Sequence, residues 1–116
     1  MTNLTTSPIT SPIIANDEVM MAAREAARIV RRIVPSRAYR VFLFGSWASG
    51  RAGERSDIDI GIDGPAPVDA AGMSAIREAV ESLSTLYSID IVDLRQVDPG
   101  FRTLATMRTV ELEVAE

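Results

Sequence analysis

Two aspartates one residue apart, Asp57 and Asp59, stand in the segment SDIDIGID from Ser56 to Asp63. In an extended chain this alternation puts Asp57, Asp59, Gly61 and Asp63 on one face and Ile58, Ile60 and Ile62 on the other. Aspartate is a poor strand former, so two in alternation oppose local propensity, and something must offset that cost. Residues two apart on a strand are roughly 7 Å apart along the backbone and point the same way, so both carboxylates can converge on hard cations. A pair of Mg²⁺ ions about 4 Å apart is the usual clamp for in-line phosphoryl or nucleotidyl displacement. A third carboxylate on a neighbouring strand would complete such a set. Asp90, near the start of the apolar stretch SIDIVDL, can supply it. Asp93 falls on the opposite face of any regular strand there. The plainer reading makes all three solvated carboxylates on an open sheet face.

Upstream, the apolar run from Arg40 to Phe44 is broken by Gly45-Ser46. Glycine permits close backbone approach, and a serine with the amides of a helix start can grip phosphate oxygens. Gly50 and Gly53 keep the following loop open, and Arg51 or Arg55 could neutralise a polyphosphate. Gly-Ser after a strand is also a common simple turn. Trp47, the only tryptophan, can stack on a base or partner, or simply pack.

Composition narrows the chemistry. There is no cysteine and no histidine, and all twelve basic residues are arginine. Disulfides, thiolate nucleophiles, structural zinc sites and imidazole acid–base catalysis are therefore excluded, as are a Schiff-base lysine and the lysine of a Walker-type phosphate loop. Carboxylates, hydroxyls, arginine and backbone remain. A net charge of −4 argues against a dedicated DNA-binding surface, which needs a basic footprint. An acidic, metal-binding pocket suits that charge better. No stretch reads as membrane-spanning, because arginines and a glutamate interrupt Val19–Val34. Met1 to Asn16 has neither a basic start nor a long apolar run, so a cytoplasmic location is expected.

The elements that must position these groups can be read along the chain. Residues 1–15, rich in Ser, Thr and Pro, are expected to form a flexible N-terminal arm. Residues 16–116 form one domain, since 116 residues suffice for a single two-layer core. Asn16 is a good N-cap, Asp17 and Glu18 suit the first turn, and Val19, Ala22, Ala23, Ala26, Ile29, Val30 and Ile33 recur at helical spacing up to Pro35. Arg40–Phe44 and Ser56–Asp63 read as strands, Val68–Leu86 as an amphipathic helix, and Ser88–Leu94 as a third strand. Asp98-Pro99 starts a short helix reaching about Met107, and Thr109–Val114 alternates like an edge strand.

The combination of Gly45-Ser46, a ten-residue spacer from Trp47 to Ser56, and Asp57-Ile58-Asp59 after the strand VFLF resembles the minimal nucleotidyltransferases (MNT domains) of the DNA polymerase β superfamily. The resemblance covers about residues 16–114. Within that family the ten-residue spacer is similar to that of antitoxin partners of HEPN-domain toxins. The implied fold is α/β of the α+β type: a small mixed β-sheet with helices packed mainly on one face. The implied activity is Mg²⁺-dependent transfer of AMP from ATP to a tyrosine hydroxyl of a HEPN toxin. By the same resemblance, Asp57, Asp59 and Asp90 are the catalytic residues and the ligands of two Mg²⁺ ions, and Gly45, Ser46 and Arg51 bind the nucleotide. Many relatives have an arginine where this chain has Ser49, which shifts phosphate binding toward Arg51. A non-catalytic module that masks its partner, and transfer to a small molecule, are the alternatives. Self-association is allowed by the Ala-rich first helix.

Overall fold

The computed structural model describes residues 17–53 and 56–112. The expected N-terminal arm, the Asn16 cap, Arg55 and the last residues of the final strand lie outside the described residues.

Helix α1, Asp17–Ile33, opens with two acidic residues and closes with Arg31 and Arg32, an order that suits the helix dipole at both ends. Its Val19, Ala23, Ala26, Ala27 and Val30 side chains are buried. Small residues there let the helix lie close to the sheet. Strand β1 is Arg40–Phe44 and a single-turn helix, α2, follows over Ser46–Ser49. Strand β2 is Ile58–Asp63, helix α3 Ala70–Glu81 and strand β3 Ile89–Asp93. Helix α4, Pro99–Ala105, and the two-residue strand β4, Val110–Glu111, complete the described chain.

The four strands form one mixed sheet in the order β3-β2-β1-β4. β1 is antiparallel to both β2 and β4, whereas β2 and β3 are parallel. The parallel pair requires a crossover, and α3 supplies it. On one face Val41, Leu43, Ile58, Ile60, Ile62 and Ile91 meet α1 and α3 in the main core. Each of the three β2 isoleucines is completely buried and contributes about 2 kcal/mol relative to an exposed position. The isoleucine face expected from the alternation is thus the buried one.

The opposite face is divided. At one end Phe42, Phe44, Leu94 and Ala105 form a second apolar cluster, with Phe101 of α4 set edge-on to Phe44 at 6.3 Å. A side chain at Gly61 would meet the Phe42 ring at 2.7 Å, so glycine lets that ring lie flat across the strand. α1 and α3 hold one face, and α4 covers only part of the other.

Two differences from the expected elements have local causes. The second long helix spans Ala70–Glu81 rather than Val68–Leu86. Asp69 caps it by accepting from the Gly72 amide at 2.8 Å, and the Val68 amide is committed to Asp93 Oδ2 at 2.8 Å. At the other end the Ser82 amide donates to the Ala79 and Val80 carbonyls, tightening the last turn. The short last helix ends at Ala105, just before the expected end, and begins at the Asp98 cap as read. Among the described residues no helix is long and apolar enough to cross a membrane.

Candidate active site

The site is built where β1 ends and β2 begins. Gly45, immediately after β1, has φ 78° and ψ −153°, a region open in practice only to glycine. That turn sends the chain straight into α2, whose Ala48 and Ser49 amides both donate to the Gly45 carbonyl. Gly50 then ends α2 in the left-handed conformation, and the Arg51 amide reaches back to the Ser46 carbonyl at 3.0 Å. Phe44 and Asp59 are register partners across β1 and β2, which brings the next residue, Gly45, against the Asp59 side chain. A Cβ on Gly45 would overlap the Asp59 carboxylate. Both the positive φ and this close approach therefore call for glycine at position 45.

Asp59 is also the register partner of Asp90 across the parallel β2–β3 pair. In a parallel ladder, register partners point to the same face, so these two carboxylates share it. Asp57, one residue before β2, alternates onto that face as well. Asp57 and Asp90 are exposed and Asp59 is half-buried. Burial first, then the Asp90 and Asp57 carboxylates, push the Asp59 carboxyl from 3.8 up to about 6. The electrostatics thus couple the three aspartates chosen from the sequence. Among the described residues, however, no three acidic side chains are gathered tightly enough to hold a metal ion as they stand.

The remaining sequence candidates divide. Gly45 lies against the Asp59 carboxylate, and Ser46 follows it as the first residue of α2. Arg51 is exposed on the loop, and among the described residues it makes no ion pair with the aspartates. Asp63, on the same strand face as Asp57 and Asp59, and Asp93, set aside on strand-period grounds, are both buried and structurally engaged. Asp63 pairs with Arg102 at 2.8 Å and lies 3.8 Å from Arg95 Nε. Asp93 accepts from the Val68 amide, as described, and from the Arg95 amide at 3.0 Å.

Of the roles open to Trp47 in the sequence, the structure shows packing against the main core. Trp47 donates its indole N–H to the Ser56 carbonyl at 3.0 Å and stands edge-on to Tyr87, ring centres 6.0 Å apart. It therefore ties the first residue of the spacer to its last, and both to the segment leading into β3. Ser56 adds a turn of its own, accepting from the Gly53 amide at its Oγ at 2.9 Å. The pinch sets where Asp57 emerges relative to Ser46. A tryptophan opening the spacer was the available signal, but its partner is nine residues on and invisible to spacing rules.

The donor set is all oxygen, carries concentrated negative charge and is cradled by a glycine that leaves room at Asp59. That chemistry fits hard divalent cations such as Mg²⁺. A family model described as polymerase beta, nucleotidyltransferase matches residues 36–112. The chain is similar to a probable protein adenylyltransferase MntA of Haemophilus influenzae, 29% identical over 76 residues, covering 66% of this chain and 65% of that protein. The match thus spans a little less than two thirds of the relative's length. Among solved structures, a toxin–antitoxin complex with AMP-PNP contains a similar fold, with TM-score 0.56 and 20% identity over 80% of this chain and 74% of that one. A complex of tri-AMPylated Shewanella oneidensis HEPN toxin with MNT antitoxin gives TM-score 0.58 and 17% identity over 84% and 73%.

Proposed function

The chain belongs to the polymerase beta nucleotidyltransferase family, and on that premise we propose that it transfers AMP from ATP to a tyrosine hydroxyl of a HEPN-domain toxin and thereby acts as an antitoxin. The observation that carries this reading is the register of Asp59 with Asp90 beside Gly45, with Asp57 close enough to act on the same carboxyl. A masking module has no use for three mutually repelling carboxylates. The similarity to MntA and to chains from MNT–HEPN complexes supports the choice of acceptor.

In this reading Asp57, Asp59 and Asp90 would hold Mg²⁺, with Asp57 and Asp59 shared between two ions. Bound Mg²⁺ supplies charge neutralisation on the triphosphate and at the attacking oxygen. Gly45 brings its backbone close to the triphosphate, Ser46 offers its hydroxyl and amide, and Arg51 screens the outer phosphates. The tyrosine oxygen attacks the α-phosphorus, the bond from that phosphorus to the bridging oxygen breaks, and pyrophosphate leaves. An Asp90 carboxylate oxygen accepts the tyrosine proton. The product is a tyrosine–AMP phosphodiester.

The test is incorporation of labelled AMP into a co-purified HEPN toxin. Asp57→Asn and Asp59→Asn should each lower it by about a hundred- to a thousandfold, as expected when a charge-stabilising group is removed from a transition state, while binding of the toxin persists. If either variant still neutralises the toxin in full, inhibition is by masking and the catalytic reading fails.

A further inference from the structure

Strand β3 has β2 on one side and, among the described residues, no strand on the other. The Ile58 amide donates to the Ser88 carbonyl and the Leu94 amide to the Ile62 carbonyl. The even-numbered residues of β3 therefore pair inward, and Ile89, Ile91 and Asp93 turn their backbone groups to the outer edge. Arg77 of α3 covers one of these, donating to the Ile91 carbonyl at 3.1 Å. At the far end, the Asp93 carbonyl accepts from the Gln96 amide. Between this edge and α3 runs a groove of about 560 Å³ that begins at Asp90 and is flanked by Ser74, Arg77, Glu78 and Glu81. Asp90 thus belongs both to the groove and to the carboxylate face.

We propose that this groove is the acceptor-docking site, and that it receives an extended, basic segment of the acceptor polypeptide as an added strand on the β3 edge. The inference rests on the transferase reading above. Its occupant follows from three features. The outward amides and carbonyl of Ile89 and the amide of Ile91 offer ladder bonds to an extended backbone. Glu78, Glu81 and Asp90 give the groove a negative lining, while the one arginine there is engaged with the Ile91 carbonyl. The third feature is position: a strand about 4.8 Å outside β3 alternates its side chains as β3 does. A tyrosine beside Asp90 then projects over the face that carries Asp59. Arg77 acts as the resident cover of the edge in the absence of this segment, a common way of protecting an edge strand.

The experiment uses the full chain with Mg²⁺ and labelled ATP. The probes are three synthetic peptides, each with one central tyrosine flanked by lysines, serines or glutamates, all in a threonine- and valine-rich extended frame. The lysine peptide should be modified most efficiently. Glu78→Lys with Glu81→Lys should raise its KM by about tenfold without changing kcat, the scale expected from reversing two exposed charges. Those residues lie on the exposed face of α3, and lysine suits the end of a helix. In hydrogen exchange, the lysine peptide should protect the Ile89 and Ile91 amides. Binding of Mg²⁺-ATP to the chain alone, read by calorimetry, separates the two ideas. Loss of nucleotide binding sinks the transferase reading. Intact nucleotide binding overturns the docking proposal if no peptide is modified, if charge does not matter, or if protection maps elsewhere. Edge protection that depends on protein concentration without peptide would mean that a second copy occupies the groove, which also overturns it.

Discussion

Replacing Asp59 with asparagine should make the protein more stable, with the gain appearing above about pH 4 and complete by about pH 6. Asp59 is raised from 3.8 to about 6 by burial, Asp90 and Asp57. Below pH 4 it is protonated in both the folded and unfolded chain, so the shift has no effect. Between pH 4 and 6 the unfolded chain releases this proton while the folded one retains it, so stability falls as pH rises. Above pH 6 the loss is complete and constant. Unscreened, a rise of this size would cost about 3 kcal/mol at pH 8. The carboxylate is half-exposed, and solvent screening reduces this to about 1–2 kcal/mol. Asp59→Asn keeps the shape and lacks the charge. Urea denaturation in EDTA, at a series of pH values from 4 to 8, should show variant and wild type coincident at the acid end. By pH 8 the variant midpoint should lie higher by roughly 1 M, for a denaturant slope of about 1.5 kcal/mol per molar urea. Millimolar Mg²⁺ should close the gap by stabilising the wild type alone. A gap that is the same at every pH, or an asparagine variant less stable at pH 8, would refute the charge argument.

Two further substitutions test the surroundings of that carboxylate. Gly45→Ala places a methyl group into the Asp59 carboxylate at a backbone angle of φ 78°. It should cost about 1–3 kcal/mol by denaturation and abolish Mg²⁺-dependent nucleotide binding measured by calorimetry. Trp47→Phe keeps an aromatic ring near Tyr87 but removes the donor to the Ser56 carbonyl. The loss should be about 1 kcal/mol in stability, together with a fall in the rate of AMP transfer larger than any change in KM for ATP, because the spacer no longer fixes Asp57.

What could be read from the residues, and what could not, follows from the range of the interactions. Strand period alone separated Asp57 and Asp59 from the buried isoleucines, because one face of β2 is covered and a one-residue slip would invert every side chain. The same argument set aside Asp93. It could not reveal why Asp63 and Asp93 are tolerated in the interior, since their partners come from Arg102, Arg95 and the Val68 amide, up to 39 residues away. The start of the long helix was overextended for a related reason: Val68 continues the apolar pattern, yet its amide is taken by Asp93, and Asp69 caps the helix by accepting from the Gly72 amide. Local pattern overstates a helix wherever a distant acceptor claims its first amides.

The repulsion at the site is tolerable because the two faces of β2 carry opposite duties. Ile58, Ile60 and Ile62 are completely buried on one side, and together they outweigh the roughly 1–2 kcal/mol that an ionised Asp59 costs on the other. The pinch at Trp47 and the glycine at 45 hold the backbone of the carboxylate face in place, while exposure lets the Asp57 and Asp90 side chains adjust. Backbone register is therefore set by the core and these contacts, independently of the exposed carboxylates. On this view Mg²⁺ should change side-chain order at Asp57 and Asp90 with little movement of β2 or β3, because a sheet anchored by that core has no second register to adopt.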